Sequence, residues 1–317
     1  MPTLAPTPLE NRRMRRATLG ALFAATLALN AGCGGGSDSA AAAPAPQAPS
    51  PPPSAATSTG RFVDSAVGNL GYACSGLSGV ANTSGVTDAL GQFDYVAGQT
   101  CTFSVGGITL GSAPAASLLT PVSLVSGATA GVANTAVTNI VRFLMSIDND
   151  SSPDNGIAIA AEVNTALASH TLNFASATFD ADAATLVNTA IAGRALVAAT
   201  VANAHLDLTL LGLYAGGYAC TYRGPVNGVD TLLGNVSISI ADGVITGAGT
   251  PIGSPDTFEV GGSITSSGAA NLTAGTTSTG ATFQGDFITN GTTAGTTGSG
   301  TWDDPEAGSG TWSCQHS

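Results

Sequence analysis

The side chains able to do chemistry in this 317-residue chain are few, mostly acidic and scattered. Asp148, Asp150, Ser152, Asp154 and Asn155 crowd into one short stretch, Ile-Asp-Asn-Asp-Ser-Ser-Pro-Asp-Asn-Gly. Oxygen ligands at alternating positions are what Ca²⁺ takes. An EF-hand loop counted from Asp148 needs glycine sixth and glutamate twelfth, but Pro153 and Ile159 hold those places. A calcium ion held by Asp148, Asp150 and Asp154 is one expectation; a solvated turn closed by Asn155-Gly156 is the other. No other cofactor is expected. His205 and Asp207 are separated by one residue near the end of a predicted helix, a spacing that does not bring side chains face to face. No Gly-x-Ser-x-Gly elbow supplies a nucleophile, so His205 is expected as a partly exposed structural histidine. Asp303, Asp304 and Glu306 sit on a hairpin tip, where carboxylates face solvent instead of flanking a glycosidic bond. No catalytic constellation emerges, and the chain reads as a non-enzyme.

Cysteine and tryptophan carry the remaining signals. Apart from Cys33, the chain holds Cys74, Cys101, Cys220 and Cys314, an even count that reads as two disulfides in an oxidising compartment. Three pairings are possible; the domain layout favours Cys74–Cys101 and Cys220–Cys314, each inside one domain. A metal site is the rival, but there is no Cys-x-x-Cys and His170, His205 and His316 are dispersed. Trp302 and Trp312, with Phe258, Phe283, Phe287 and Tyr218, are the large side chains of the C-terminal part. In a closed barrel they either fill the core, which is the first expectation, or line a ligand cavity.

Charge narrows the partners. The chain contains no lysine, and its eight basic residues are all arginine. Four of them and a single acid precede Cys33, so the remainder carries four basic and nineteen acidic residues, a net charge of −15. Such a surface repels phosphate backbones, which argues against a nucleic-acid partner.

The N-terminus reads as an export signal. Arg12, Arg13, Arg15 and Arg16 precede an apolar run from Ala17 to Leu29, too short to span a bilayer as a helix. Leu29-Asn30-Ala31-Gly32-Cys33 resembles the lipobox of bacterial lipoproteins, with Asn30 where the aliphatic residue usually stands. The resemblance implies cleavage before Cys33, lipidation of its thiol and a membrane partner reached through that lipid. Met14 is an alternative start. Residues 34–59 hold six prolines among Ala and Ser and read as an extended tether without a core.

Three regions follow. Residues 60–120 show period-two alternation, as in Gln92-Phe93-Asp94-Tyr95-Val96 and Thr100-Cys101-Thr102-Phe103-Ser104-Val105. Thr87-Asp88-Ala89-Leu90-Gly91-Gln92-Phe93-Asp94-Tyr95 resembles the T-D-x-x-G-x-F-x-Y hairpin of β-sandwich modules in bacterial surface proteins and adhesins, a group similar to the carboxypeptidase-regulatory, transthyretin-like fold. Phe103–Gly111 and Val141–Asp148 are similar to segments of the same exported group. The resemblance implies surface display and a binding or structural role. Residues 121–212 turn helical: Val137, Ile140, Val141, Leu144 and Ile147 recur at helical spacing. A short helix is predicted over 159–168, and one long Ala-rich helix from an Asp180 cap to about Leu211. Residues 213–317 return to short alternating strands, and Gly-Ser-Gly-Thr-Trp occurs at both 298–302 and 308–312. An up-and-down meander is expected, curled into a barrel by a Cys220–Cys314 bridge between first and last strands. The fold class is α+β, mainly β. The expected protein is a lipid-anchored envelope protein, outer-membrane or periplasm-facing, that binds or supports an envelope protein, a glycan or a small ligand. A small-ligand carrier using the C-terminal barrel is the alternative.

Overall fold

The computed structural model describes residues 56–275, 280–290 and 295–317. Cys33, the apolar export segment and most of the tether lie outside them. The fold is mainly β with four helices among the described residues, as the patterning indicates.

The first region opens with β1 (Thr57–Phe62), which begins inside the segment expected as tether, and continues through β2 (Val67–Gly68), β3 (Gly71–Ser75) and β4 (Thr83–Val86). β5 (Gln92–Val96), β6 (Thr100–Val105), β7 (Ile108–Pro114) and β8 (Leu118–Leu119) complete it. Two sheets form, ordered β5-β1-β8 and β4-β3-β6-β7, with β1 and β8 parallel. The predicted alternation holds: Phe93 and Tyr95 are buried while Asp94 is exposed, and Cys101, Phe103 and Val105 share the core face. Phe103 packs 4.8 Å from Phe62 and 5.2 Å from Phe93, centroid to centroid. Cys74 and Cys101 are direct cross-strand neighbours joined by a disulfide.

The T-D-x-x-G-x-F-x-Y stretch has a physical reason at each position. The buried Thr87 hydroxyl donates to the Val67 carbonyl and accepts the Leu70 N–H. An Asp88 carboxylate oxygen accepts the N–H groups of Leu90 and Gln92 at 2.9 and 2.8 Å, which closes the turn. Gly91 takes φ +74°, and a side chain there would strike the Phe62 carbonyl.

The middle region contains α1 (Thr135–Ser146), β9 (Ile157–Ala158), α2 (Ala161–Ala166), α3 (Phe179–Ala190) and α4 (Ala199–Gly212). Asn134 caps α1 by accepting the N–H groups of Ala136 and Val137. The single helix expected from Asp180 to Leu211 is divided in two, and Thr178 holds the cap position of its first half. Tertiary bonds override alanine's helix propensity at the break. Gly193 turns at φ +79°, its N–H donating to Asn188, while the Arg194 guanidinium donates to the Asp148 carbonyl. Beyond it, the Val197 carbonyl accepts from Arg142 and its N–H donates to Ser146.

The last region is a closed eight-stranded barrel of antiparallel neighbours: β10 (Gly216–Val226), β11 (Val229–Ala241), β12 (Val244–Pro251), β13 (Phe258–Ile264), β14 (Ala269–Ala274), β15 (Ala281–Ile288), β16 (Thr297–Asp304) and β17 (Gly308–His316). β10 pairs with β17, and Cys220 sits opposite Cys314, so the second disulfide crosses the closing seam. Linking residues 94 apart removes about 4.5 kcal/mol of loop entropy from the unfolded chain. Eight strands enclose barely enough room for side chains. The chain meets that limit by setting a glycine across the ladder from each of several inward rings. Tyr222 faces Gly234, Phe258 faces Gly249 and Phe287 faces Gly298. Trp312 faces Gly300, and Trp302 faces Gly310. In all five pairs a Cβ on the glycine would collide with the facing ring. Gly298→Val, where the nearest atoms to an added Cβ all belong to the buried Phe287 ring, is therefore expected to destabilise the protein by about 3 kcal/mol in denaturant unfolding. Gly261→Ala, in the same barrel but with open space around its Cβ, should cost less than about 1 kcal/mol. Equal losses for the two would remove the ring-over-glycine account.

Candidate functional site

The two ends of the barrel differ. One end carries the β11–β12 and β13–β14 turns and is covered by the end of α4. There Leu211 approaches Gly243, Tyr214 is buried in the barrel core, and the Tyr218 hydroxyl donates to the Tyr214 carbonyl at 2.7 Å. Next to that plug the interior is full. Cys220, Val236, Ile238, Leu272 and Trp312 surround a void of only about 20 Å³. Trp312 is a core residue, its indole N–H donating to the Gln284 carbonyl at 3.1 Å.

No described residue covers the opposite end. The ends of β10, β12, β14 and β16 and the starts of their partners surround a cavity of about 500 Å³, the size of small-ligand sites. Tyr222, Phe258, Phe283 and Trp302 supply its rings, Leu233 and Ala281 its aliphatic wall, and Asp304 its one carboxylate. Tyr222 is the hub, with centroids 6.1, 6.3 and 6.0 Å from Phe258, Phe283 and Trp302, edge to face in each case. A β-bulge at Tyr222/Arg223 reorients β10, and the Arg223 carbonyl accepts the Trp302 indole N–H at 2.7 Å. That bond fixes the tryptophan without spending a side chain of the cavity. Burial raises the Tyr222 phenol pKa, so it stays neutral. The two tryptophans singled out by sequence thus part company: Trp302 lines the cavity and Trp312 fills the layer beneath.

The acidic loop after α1 turns its carboxylates inward on its own backbone. Asp148 accepts the N–H groups of Ser152 and Ala158 at 2.8 and 2.9 Å, and Asp150 accepts from Ser152 and Asn155. Burial raises the pKa of Asp148, and the Asn155 amide lowers that of Asp150. Asp154 points away from them toward His205. Among the described residues, no three His, Cys, Asp or Glu side chains are grouped to hold a metal ion.

His205 is buried, not partly exposed, because α4 presents it to the first region. Its Nε2 lies 3.5 Å from Asp64 Oδ1 and 3.5 Å from the Ser65 hydroxyl, and its Nδ1 lies 3.9 Å from Asp154. Asp64 and Ser65 are about 140 residues from His205 in sequence, so no local pattern brings them together. Ser65, His205 and Asp154 have the order of a nucleophile, base and acid. The first contact is at the outer limit of hydrogen bonding and the second beyond it, so no proton relay is formed. Asp64 is the unusual member. It is fully buried, neither carboxylate oxygen has a hydrogen-bond partner, and burial pushes its pKa to about 7.

No known family profile matches the chain, and no curated protein resembles it.

Asp64 makes stability depend on pH. Its folded pKa lies above its ordinary value of 3.8. The stabilisation is complete below the unfolded value and is lost as pH rises through about 7. The groups facing it are His205 from α4, the Ser65 hydroxyl and, beyond the imidazole, the exposed Asp154. Asp64→Asn should abolish a loss on the order of 3 kcal/mol between pH 4 and pH 8, read from urea midpoints across that range. A variant with the same pH slope as the parent would show that Asp64 ionises freely in the fold.

Proposed function

We propose that this is an exported, lipid-anchored envelope protein with a non-enzymatic binding role, and that the open mouth of the C-terminal barrel is its binding site. The cavity of about 500 Å³ at that mouth carries the proposal. It is apolar and aromatic, as small-molecule sites are, and lies at the only barrel end that α4 does not cover. A closed barrel, fixed by hydrogen-bonded strands and a disulfide across the seam, holds such a cavity open without a ligand. The anchor rests on Cys33 following Leu29-Asn30-Ala31-Gly32 behind a basic and apolar leader. Two disulfides agree with an oxidising compartment. The Pro-rich stretch from 34 to 56 then spaces the folded part from the lipid.

Intact mass and membrane fractionation of the protein from a bacterial host test the anchor. The expected chain begins at Cys33, carries a di- or triacyl mass increment and sediments with membranes, and Cys33→Ser releases it. An unmodified soluble chain would overturn the lipoprotein assignment. For the binding site, the neutral fluorophore N-phenyl-1-naphthylamine should bind with one-site stoichiometry. Ala281→Trp fills the cavity from its wall and should weaken that binding about tenfold or more without lowering the melting temperature. Unaltered binding in that variant would place the site elsewhere.

A further inference from the structure

We propose that the barrel mouth is selective for organic cations: a substituted ammonium group carried on an apolar body. The proposal rests on the mouth being a binding site and adds the charge and class of its ligand.

Charge is distributed unevenly along the barrel axis. From Gly216 onward the chain has eight acidic residues and one arginine. Six of the acids lie at the open end: Asp230, Asp256, Glu259, Asp303, Asp304 and Glu306. Asp230, Glu259, Asp303 and Asp304 sit in the strand ends that frame the cavity, and Asp256 and Glu306 in the connections between them. Asp242 and Asp286 alone belong to the covered half. Arg223 is no counterweight inside the mouth. It is half-exposed, and its guanidinium is tied to the Asp230 carboxylate at 2.8 Å.

The lining repeats the same bias at contact range. Among the described residues it contains four aromatic rings and one carboxylate, and no arginine, lysine or histidine. Asp304 is held in place: one oxygen accepts the N–H groups of Glu306 and Ala307, each at 2.8 Å. Aromatic faces and a nearby carboxylate are what stabilise a substituted ammonium, whose charge is diffuse and weakly hydrated. Low-dielectric walls concentrate the field of the five carboxylates that Arg223 does not neutralise on the opening. The same features disfavour the other ligand classes. A fatty acid or a phosphate would meet only like charge. Among the described residues, a sugar would find just two polar side chains on the lining, Tyr222 and Asp304, to replace its bonds to water.

The chain has only two tryptophans, so Trp312→Phe leaves Trp302 as a sole reporter at the cavity. Three probes of one shape separate charge from shape: benzyltrimethylammonium, its carbon isostere neopentylbenzene, and phenylmethanesulfonate. Titrations followed by Trp302 emission should rank the cation about tenfold tighter than the neutral isostere, with no binding of the anion. Asp304→Asn keeps the oxygen that closes the turn and should narrow that preference to about two- or threefold. Calorimetry on the unsubstituted protein should give the same ranking, which guards against a disturbed core in Trp312→Phe. Equal binding of cation and isostere overturns the cation assignment while leaving the mouth a binding site. Preference for the sulfonate overturns it as well. Binding of none of the three, by emission and by calorimetry, overturns both the cation assignment and the mouth as a ligand site.

Discussion

An eight-stranded barrel cannot hold large rings pointing at its axis from every strand, and the C-terminal half of this protein is organised by that limit. Its solution is local: a ring on one strand lies over a glycine on the next. Trp302 over Gly310, Trp312 over Gly300, Phe258 over Gly249 and Tyr222 over Gly234 each flatten an aromatic side chain against the wall. Pairing large with small across the ladder shields the bare glycine backbone and gives the ring a defined seat. Five of the chain's 42 glycines are therefore structural complements to its few aromatics. The pairing also fixes register, because a slip of one residue turns the core face outward and a slip of two sets Trp302 against Trp312.

Rings laid against the wall have different consequences at the two ends. Near the covered end the rings are joined by Val236, Ile238, Leu272 and the Cys220–Cys314 bridge, and the interior closes to a void of about 20 Å³. Toward the mouth the lining thins to Leu233, Ala281 and the glycines at the β14–β15 turn, and the same wall-hugging rings leave a cavity. The site is what remains of the core where aliphatic filling stops. No loop has to close for it to exist.

Local chemistry made a good part of this legible from the residues alone. The alternation of Val236, Ile238 and Ile240 and the repeated Gly-Ser-Gly-Thr-Trp mark strands with an inward face, and a bridge from first strand to last implies closure. The Thr87-Asp88 turn is equally readable, because each residue answers a need within a few positions. What the sequence hides is long-range or competitive. The interruption between α3 and α4 is decided by Arg142, Ser146 and the Asp148 carbonyl, which lie some 45 to 55 residues away and bind the linker in preference to helix. His205 looks exposed on an alanine-rich helix until Asp64 and Ser65 arrive from the other side. The separation of Trp302 from Trp312 depends on which barrel end is covered, which neither copy of the pentapeptide encodes.

The strut that links these features is α4. Its middle sets His205 and Thr209 against Asp64 and Ser65, and its end plugs the barrel through Leu211 and Tyr214. Ionising a buried carboxyl without a hydrogen-bond partner costs stability on the covered side of the molecule. Between that side and the mouth stand the packed layer around Trp312 and a ring of ladder hydrogen bonds with no free edge. Close-packed interiors shift between discrete arrangements and do not deform smoothly, so a loosening at Asp64 has no graded path to the cavity. The described strands of the mouth are held by the closed ladder, so a ligand of the proposed site would cost little ordering of that wall. Selectivity of the proposed site would then rest on what the described wall presents, four rings and the Asp304 carboxylate.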